Sequence, residues 1–119
     1  MDVLIVERDP LVAEVLADAL ADVGITADIT AEEDQAVAGC RDSEARVVIT
    51  GINRHGEDMK GMQFGRSIRA RCPWLGVVYM AALWPSVLDK RALGARERFL
   101  TKPVRTGQLV NTVRELLPA

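Results

Sequence analysis

The chain has 119 residues, 49% of them apolar and 27% charged, with a formal net charge of −2. That length suits one domain, residues 1–119, large enough to bury a sizeable core. The near-neutral balance, without a clustered basic stretch, argues against nucleic acid, and apolar runs far below the ~20 residues of a membrane span argue against a bilayer.

Met1 leads almost directly into a strand, with no basic and apolar leader, so the expected location is cytoplasmic. Cys40 and Cys72 form no CxxC pair, and His55 is the only histidine, so reduced thiols are expected rather than a disulfide or metal site.

The elements alternate regularly. Val3–Val6 is an apolar run short enough for a buried strand. Asp9 then reads as an N-cap with Pro10 at the first helical position. Leu11, Val12, Val15, Leu16, Ala19, Leu20 and Val23 recur at helical spacing, and Gly24 stops the helix. Ile25–Ile29 is a second strand, polar enough for a sheet edge. Thr30 with Glu33 forms a capping box opening a helix over Ala31–Cys40. Val47 to Thr50 is a third, fully buried strand.

A loop rich in glycine and charge, Gly51 to Lys60, leads to a helix over Met62–Arg71 with Met62, Phe64 (or Gly65) and Ile68 inward. Cys72-Pro73 ends it. Val77 to Met80 is the fourth strand, Pro85–Leu93 a short helix, Arg98–Thr101 the fifth strand and Thr106–Leu117 the last helix. Five strand–helix units with apolar strands imply a parallel sheet covered on both faces, and right-handed crossovers make it doubly wound.

Lys102 ends the fifth strand, at the sheet edge where open α/β folds place their ligand sites. A lysine there is a point charge suited to phosphate or carboxylate. The Lys102–Pro103 step is the candidate cis peptide, because cis bonds are essentially confined to X-Pro.

Six pieces in order resemble the receiver domain of two-component response regulators, the CheY-like family. They are Val3 to Pro10 with its helix, Val47 to Asn53, Met59 to Met62, Ile68 to Pro73, Val77 to Ala82 and Phe99 to Val104. The resemblance covers the whole chain and implies a five-stranded sheet in 2-1-3-4-5 order with five helices. It also implies self-catalysed phosphorylation of an aspartate ending the third strand. Two acidic residues after the first strand would hold Mg²⁺ with that aspartate, a hydroxyl residue would end the fourth strand, and a lysine the fifth.

Carried over position by position, most of this set is missing. Glu7 stands at the first acidic position and Arg8 at the second. Gly51 occupies the acceptor position, Ala81 the hydroxyl position, and Phe99 the aromatic switch position; Lys102 alone is the usual residue. The turn from Arg54 to Met59 runs about two residues long relative to the family pattern. One carboxylate faces two cations, a net positive charge where the family pattern is net negative. A guanidinium cannot ligate a cation, so Mg²⁺ is not expected as a cofactor. Arg8 is expected in the vacated metal site, paired with Glu7 or Asp9, with Lys102 on Glu7 or a carbonyl. Among substitutes, Thr50 should face the opposite side of the sheet, Asp58 sits in the long loop, and Asp9 reads as the cap.

The resemblance therefore implies an atypical, single-domain receiver that is not an enzyme. It would act by protein contact on a histidine kinase, another regulator or a second copy of itself. Trp84, Arg91, Phe99 and Arg105 mark its candidate interface, on the face of the fourth helix, fifth strand and last helix. The alternatives are a small-anion or nucleotide sensor built on Arg8 and Lys102, and a phosphoacceptor using a non-standard residue.

Overall fold

In a computed structural model of the chain, residues 2–31, 45–52, 59–83 and 90–118 are described. Strands β1 (Val3–Val6), β2 (Ala27–Thr30), β3 (Val47–Gly51), β4 (Gly76–Ala81) and β5 (Glu97–Thr101) form one parallel sheet in the order β2-β1-β3-β4-β5. The expected topology is the observed one. Burial follows from position: every residue of β1 is buried and β3 and β4 are buried up to their last residue, whereas β2, at an edge, is not. The second strand begins two residues later than its apolar residues suggest, because Ile25 packs into the core ahead of the pairing.

Helices α1 (Pro10–Ala21) and α3 (Thr106–Leu116) pack on one face, where Ala13, Leu16 and Leu20 meet Leu109, Val113 and Leu116 over Val3, Ile5, Val47 and Ile49. Helix α2 (Lys60–Arg71) covers the other face, setting Phe64 and Ile68 against Leu4, Val6 and Val48. Three α-helices are thus present among the described residues, against five expected. The expected helix over Ala31–Cys40 falls outside them beyond Ala31. Of Pro85–Leu93, residues 84–89 lie outside, and the described end is a 3-10 turn, Lys90–Ala92.

Helix α1 starts as its sequence dictates. Asp9 Oδ1 accepts the Leu11 N–H at 3.0 Å and Pro10 fills the first turn, where a missing N–H costs nothing. Gly24, at φ +80°, makes the left-handed turn that sends Ile25 back to donate to the Leu20 carbonyl at 2.9 Å. The apolar set expected on the inner face is only partly there. Leu11, Val15 and Val23 are 72%, 58% and 40% exposed. Seven apolar positions span too wide an arc for one side of a helix to bury.

Helix α2 begins two residues before the expected Met62, its first turn held by Gly61 N–H on the Ile52 carbonyl at 2.9 Å. Cys72 closes it and is buried. Trp74 is half-exposed, its indole N–H donating to the Ala45 carbonyl at 3.1 Å. No helix among the described residues is long and apolar enough to cross a membrane.

Candidate functional site

The sheet's register sets the site. Val6 pairs with Thr50, Gly51 with Met80, and Ala81 with Thr101. Glu7 and Lys102 follow directly on β1 and β5, so Glu7, Gly51, Ala81 and Lys102 line one C-terminal edge. Backbone bonds fix the line: Glu7 N–H to the Thr30 carbonyl at 3.0 Å, Ile52 N–H to Met80 at 2.9 Å, and Lys102 N–H to Ala81 at 2.8 Å. The Lys102–Pro103 peptide is cis.

Glu7 is the hinge of the local charge. Its Oε1 accepts the Asp9 N–H at 3.1 Å, and its Oε2 lies 3.8 Å from Lys102 Nζ. Asp9 is spent on the α1 cap, as expected. Arg8 departs from expectation. It is exposed, and among the described residues its guanidinium pairs with neither Glu7 nor Asp9. The reason is local: the Asp9 carboxylate is turned into the helix, and Glu7 into the edge toward Lys102. Of the two residues expected to hold an anion, only Lys102 sits within reach of the edge carboxylate.

Gly51 is partly buried, and its carbonyl lies directly under Gly61. A Cβ on Gly61 would fall on that carbonyl oxygen, so α2 meets the tip of β3 backbone to backbone. Thr50 is fully buried, its hydroxyl 3.3 Å from the Gly51 carbonyl. Phe99 packs, partly buried, against the cluster of Ile52, Met62, Val77 and Tyr79, together with Ala81 and Leu93. Arg91 and Arg105 are exposed. Trp84, Asn53 and Asp58 lie outside the described residues, as does the turn from Arg54 up to Met59.

One polar network below this edge escapes a reading of the sequence. Tyr79 is fully buried, and its hydroxyl donates to Glu97 Oε2 at 2.6 Å. Glu97, only 4% exposed, also takes the Gly94 N–H at 2.8 Å and the Arg66 guanidinium at 3.4 Å. Arg66 donates in turn to the Ala92 carbonyl at 2.8 Å. Burial pushes the Tyr79 phenol well above its ordinary range, reinforced by the hydrogen bond and charge of Glu97. Burial would also raise the Glu97 carboxyl, but bonds from Tyr79, Gly94 and Arg66 outweigh it and hold the group below the usual range. Gly65 makes room for this contact, since a Cβ there would lie 2.5 Å from the Tyr79 hydroxyl. The available signal was a glutamate opening the fifth strand, with two glycines four apart on the facing helix.

A doubly wound sheet with Lys102 and Glu7 at its C-terminal edge defines a receiver-type α/β protein. The profile of the response regulator receiver domain matches residues 3–114, so the chain belongs to that family. It is similar to the Vibrio cholerae chemotaxis protein CheY4, at 20% identity and TM-score 0.80 over 98% of each chain. A response regulator from Thermotoga maritima aligns at 19% identity and TM-score 0.81, over 97% of this chain and 95% of that one. NtrX from Brucella abortus, solved in complex with ATP, aligns at 24% and 0.81, over 97% of this chain but 26% of its own. At these identities the likeness speaks for the fold. No curated protein matches.

Proposed function

We propose that this chain is a receiver that does not take a phosphoryl group at the family's usual position and regulates by protein contact alone. The observation that carries the reading is the register: Gly51, paired with Met80, stands at the tip of β3 where the nucleophilic carboxylate belongs. Glycine offers no nucleophile. The donor set is equally unsuited to Mg²⁺, which binds through several oxygens, carboxylates prominent among them. Among the described residues the edge offers one carboxylate not used as a helix cap, Glu7, already engaged by Lys102 and the Asp9 N–H. Ala81 supplies no hydroxyl to hold a transferred group.

On this reading Lys102 is a structural counter-ion to Glu7, and the chain is not an enzyme. Its output would run through the surface bearing Arg91, Phe99 and Arg105, toward a histidine kinase, another regulator or a second copy. Incubation with acetyl phosphate and Mg²⁺, followed by intact-mass measurement, tests it. Unchanged mass is the expected result; a stable gain of one phosphoryl group overturns it.

A second reading, an anion sensor, draws on one observation: Arg8 is exposed and unpaired among the described residues, on the same edge as Lys102. Inorganic phosphate or a nucleoside triphosphate would then raise the melting temperature, and an Arg8→Ala variant would lose that shift.

A further inference from the structure

The charge of this chain is segregated along its sequence. All but three of its acidic residues, Asp89, Glu97 and Glu115, precede Met59, and all but four of its basic residues, Arg8, Arg41, Arg46 and Arg54, follow Asp58. The sheet order turns that bias into a spatial one, because β4 and β5 lie together at one end of the sheet. A net charge of −2 therefore conceals a basic flank. Part of that flank is built at the N-terminal rim of β4 and β5, opposite the edge that carries Glu7 and Lys102.

There, two guanidinium groups are fixed on successive carbonyls of one turn. Arg69 Nε donates to the Leu75 carbonyl at 2.9 Å, and Arg96 Nη2 donates to Trp74 at 3.0 Å and to Leu116 at 2.7 Å. Among the described residues no carboxylate pairs with either. The Trp74 indole is tethered by its N–H to the Ala45 carbonyl yet stays 42% exposed, the only exposed aromatic side chain among the described residues. Its neighbour Pro73 lines a cleft of about 440 Å³, together with Arg69 and Ala70 and, across from them, Ala92 and Gly94. Glu97 also lines the cleft, but its charge is already met by Arg66, the Tyr79 hydroxyl and the Gly94 N–H. The uncompensated charge at this rim is positive, and backbone carbonyls hold it in place.

We propose that this rim docks a short acidic segment of a partner protein, one that carries at least two carboxylates beside an apolar residue. The planar fork of arginine matches a carboxylate bidentately. Guanidinium groups already held on carbonyls lose less freedom when that carboxylate arrives. Arginine and tryptophan are also the residue types that dominate binding energy at protein interfaces. Ala70 and Pro73 give the apolar residue its floor. Other polyanions fit less well. A single-stranded nucleic acid stacks successive bases on a series of rings, and the rim offers one. A second copy bound by its acidic half would repeat head to tail without closing, an open assembly rather than a defined complex. The rim lies at the far end of the sheet from Glu7 and Lys102, so the inference holds whether or not position 51 accepts phosphate.

The test uses the full chain, isotope-labelled, titrated with two synthetic peptides that share one leucine and flank it with either glutamates or glutamines. The glutamate peptide is expected to shift the Trp74 indole N–H and the amides of residues 69–76 and 92–97. It should bind about tenfold more tightly than the glutamine peptide at low salt, a preference that shrinks as salt rises. Arg69→Gln/Arg96→Gln should abolish the preference, whereas Arg114→Gln, an equal change of charge per residue on α3, should keep it. If the double variant loses its circular dichroism with the Arg96 carbonyl bonds, Arg69→Gln alone decides. Equal affinities, shifts mapping to another face, or a loss of preference in Arg114→Gln as large as in Arg69→Gln overturn the proposal. So does tighter binding of an oligothymidylate of equal charge, which would give the rim to nucleic acid. Self-association abolished by Arg69→Gln, which would give it to a second copy, overturns it too, as does retention of the chain on phosphatidylserine vesicles.

Discussion

The Tyr79 hydroxyl donates to the Glu97 carboxylate across 2.6 Å, a bond between diagonal neighbours on one face of β4 and β5. Glu97 gathers the ends of three segments: the turn at Gly94, the strand bearing Tyr79 and, through Arg66, helix α2 and the Ala92 carbonyl. The network underlies the cluster in which Ala81 and Phe99 sit. A bond of this kind, buried and to a charged acceptor, contributes more than an exposed one.

Tyr79→Phe removes the shortest donor to Glu97 and leaves a buried carboxylate oxygen short of a partner. The expected loss is about 1–3 kcal/mol of unfolding free energy. Glu97→Gln is expected to lose a comparable amount by weakening the bonds from Arg66 and Tyr79. Urea unfolding of the two single variants and the double gives their coupling; strict additivity would show that the bond is energetically idle.

Stability should fall at both ends of the pH scale. The Glu97 carboxyl is held below its ordinary range, so its contribution is full above about pH 4.3, the unfolded value, and drains away as pH falls through the folded one. The Tyr79 phenol is held above its ordinary range, so its contribution is full below about pH 10 and is lost as pH rises beyond that. Thermal melts of Tyr79→Phe across pH should lack the alkaline part of the decline.

Two glycines of α2 should resist substitution although alanine is the better helix former. Gly→Ala in a helix ordinarily gains up to about 1 kcal/mol. At Gly65 the added methyl meets the Tyr79 hydroxyl and ring at 2.5 and 2.8 Å, and at Gly61 it meets the Gly51 carbonyl. Both variants are expected to lose stability by about 1–3 kcal/mol net. Gly61→Ala should be the worse, because a backbone carbonyl gives way less easily than a side chain. Chemical denaturation of Gly61→Ala, Gly65→Ala and, as an unhindered reference, Gly107→Ala checks the order.

On the proposed reading, installing phosphoacceptor chemistry should take more than one residue. Gly51 lies in strand pairing with Met80, a backbone that accepts a side chain, so Gly51→Asp is expected to fold. Alone it should stay unphosphorylated by acetyl phosphate and Mg²⁺, because on that reading Arg8 stands where a metal-binding carboxylate is needed. Gly51→Asp/Arg8→Asp should gain one phosphoryl group in intact mass, in a Mg²⁺-dependent manner. A gain by the single variant would show that Arg8 does not block the metal.

Much of the fold was readable from local chemistry. Val3–Val6 and Val47 to Ile49 are apolar throughout because both of their faces are covered, and Asp9-Pro10 announces a helix start by itself. The alignment of Glu7, Gly51, Ala81 and Lys102 along one edge was readable too, since each sits at or beside a strand end. What was not readable depends on partners far apart in the chain. Arg66 and Glu97 are 31 residues apart, and nothing in either neighbourhood names the other. Arg8 was assigned a partner from its charge alone, whereas the α1 cap and the Lys102 contact had already claimed both nearby carboxylates. The apolar count of α1 concealed its open ridge, because periodicity marks which residues are apolar but not how wide an arc the neighbours can cover.

The missing side chain at Gly61 has a consequence for how this molecule can be altered. With α2 resting directly on the peptide that closes β3, the position of that peptide is set by the helix and not by whatever residue 51 carries. Chemistry at the tip can be removed or rebuilt while its mounting stays put, provided the hydrogen on the Gly61 α-carbon is left alone.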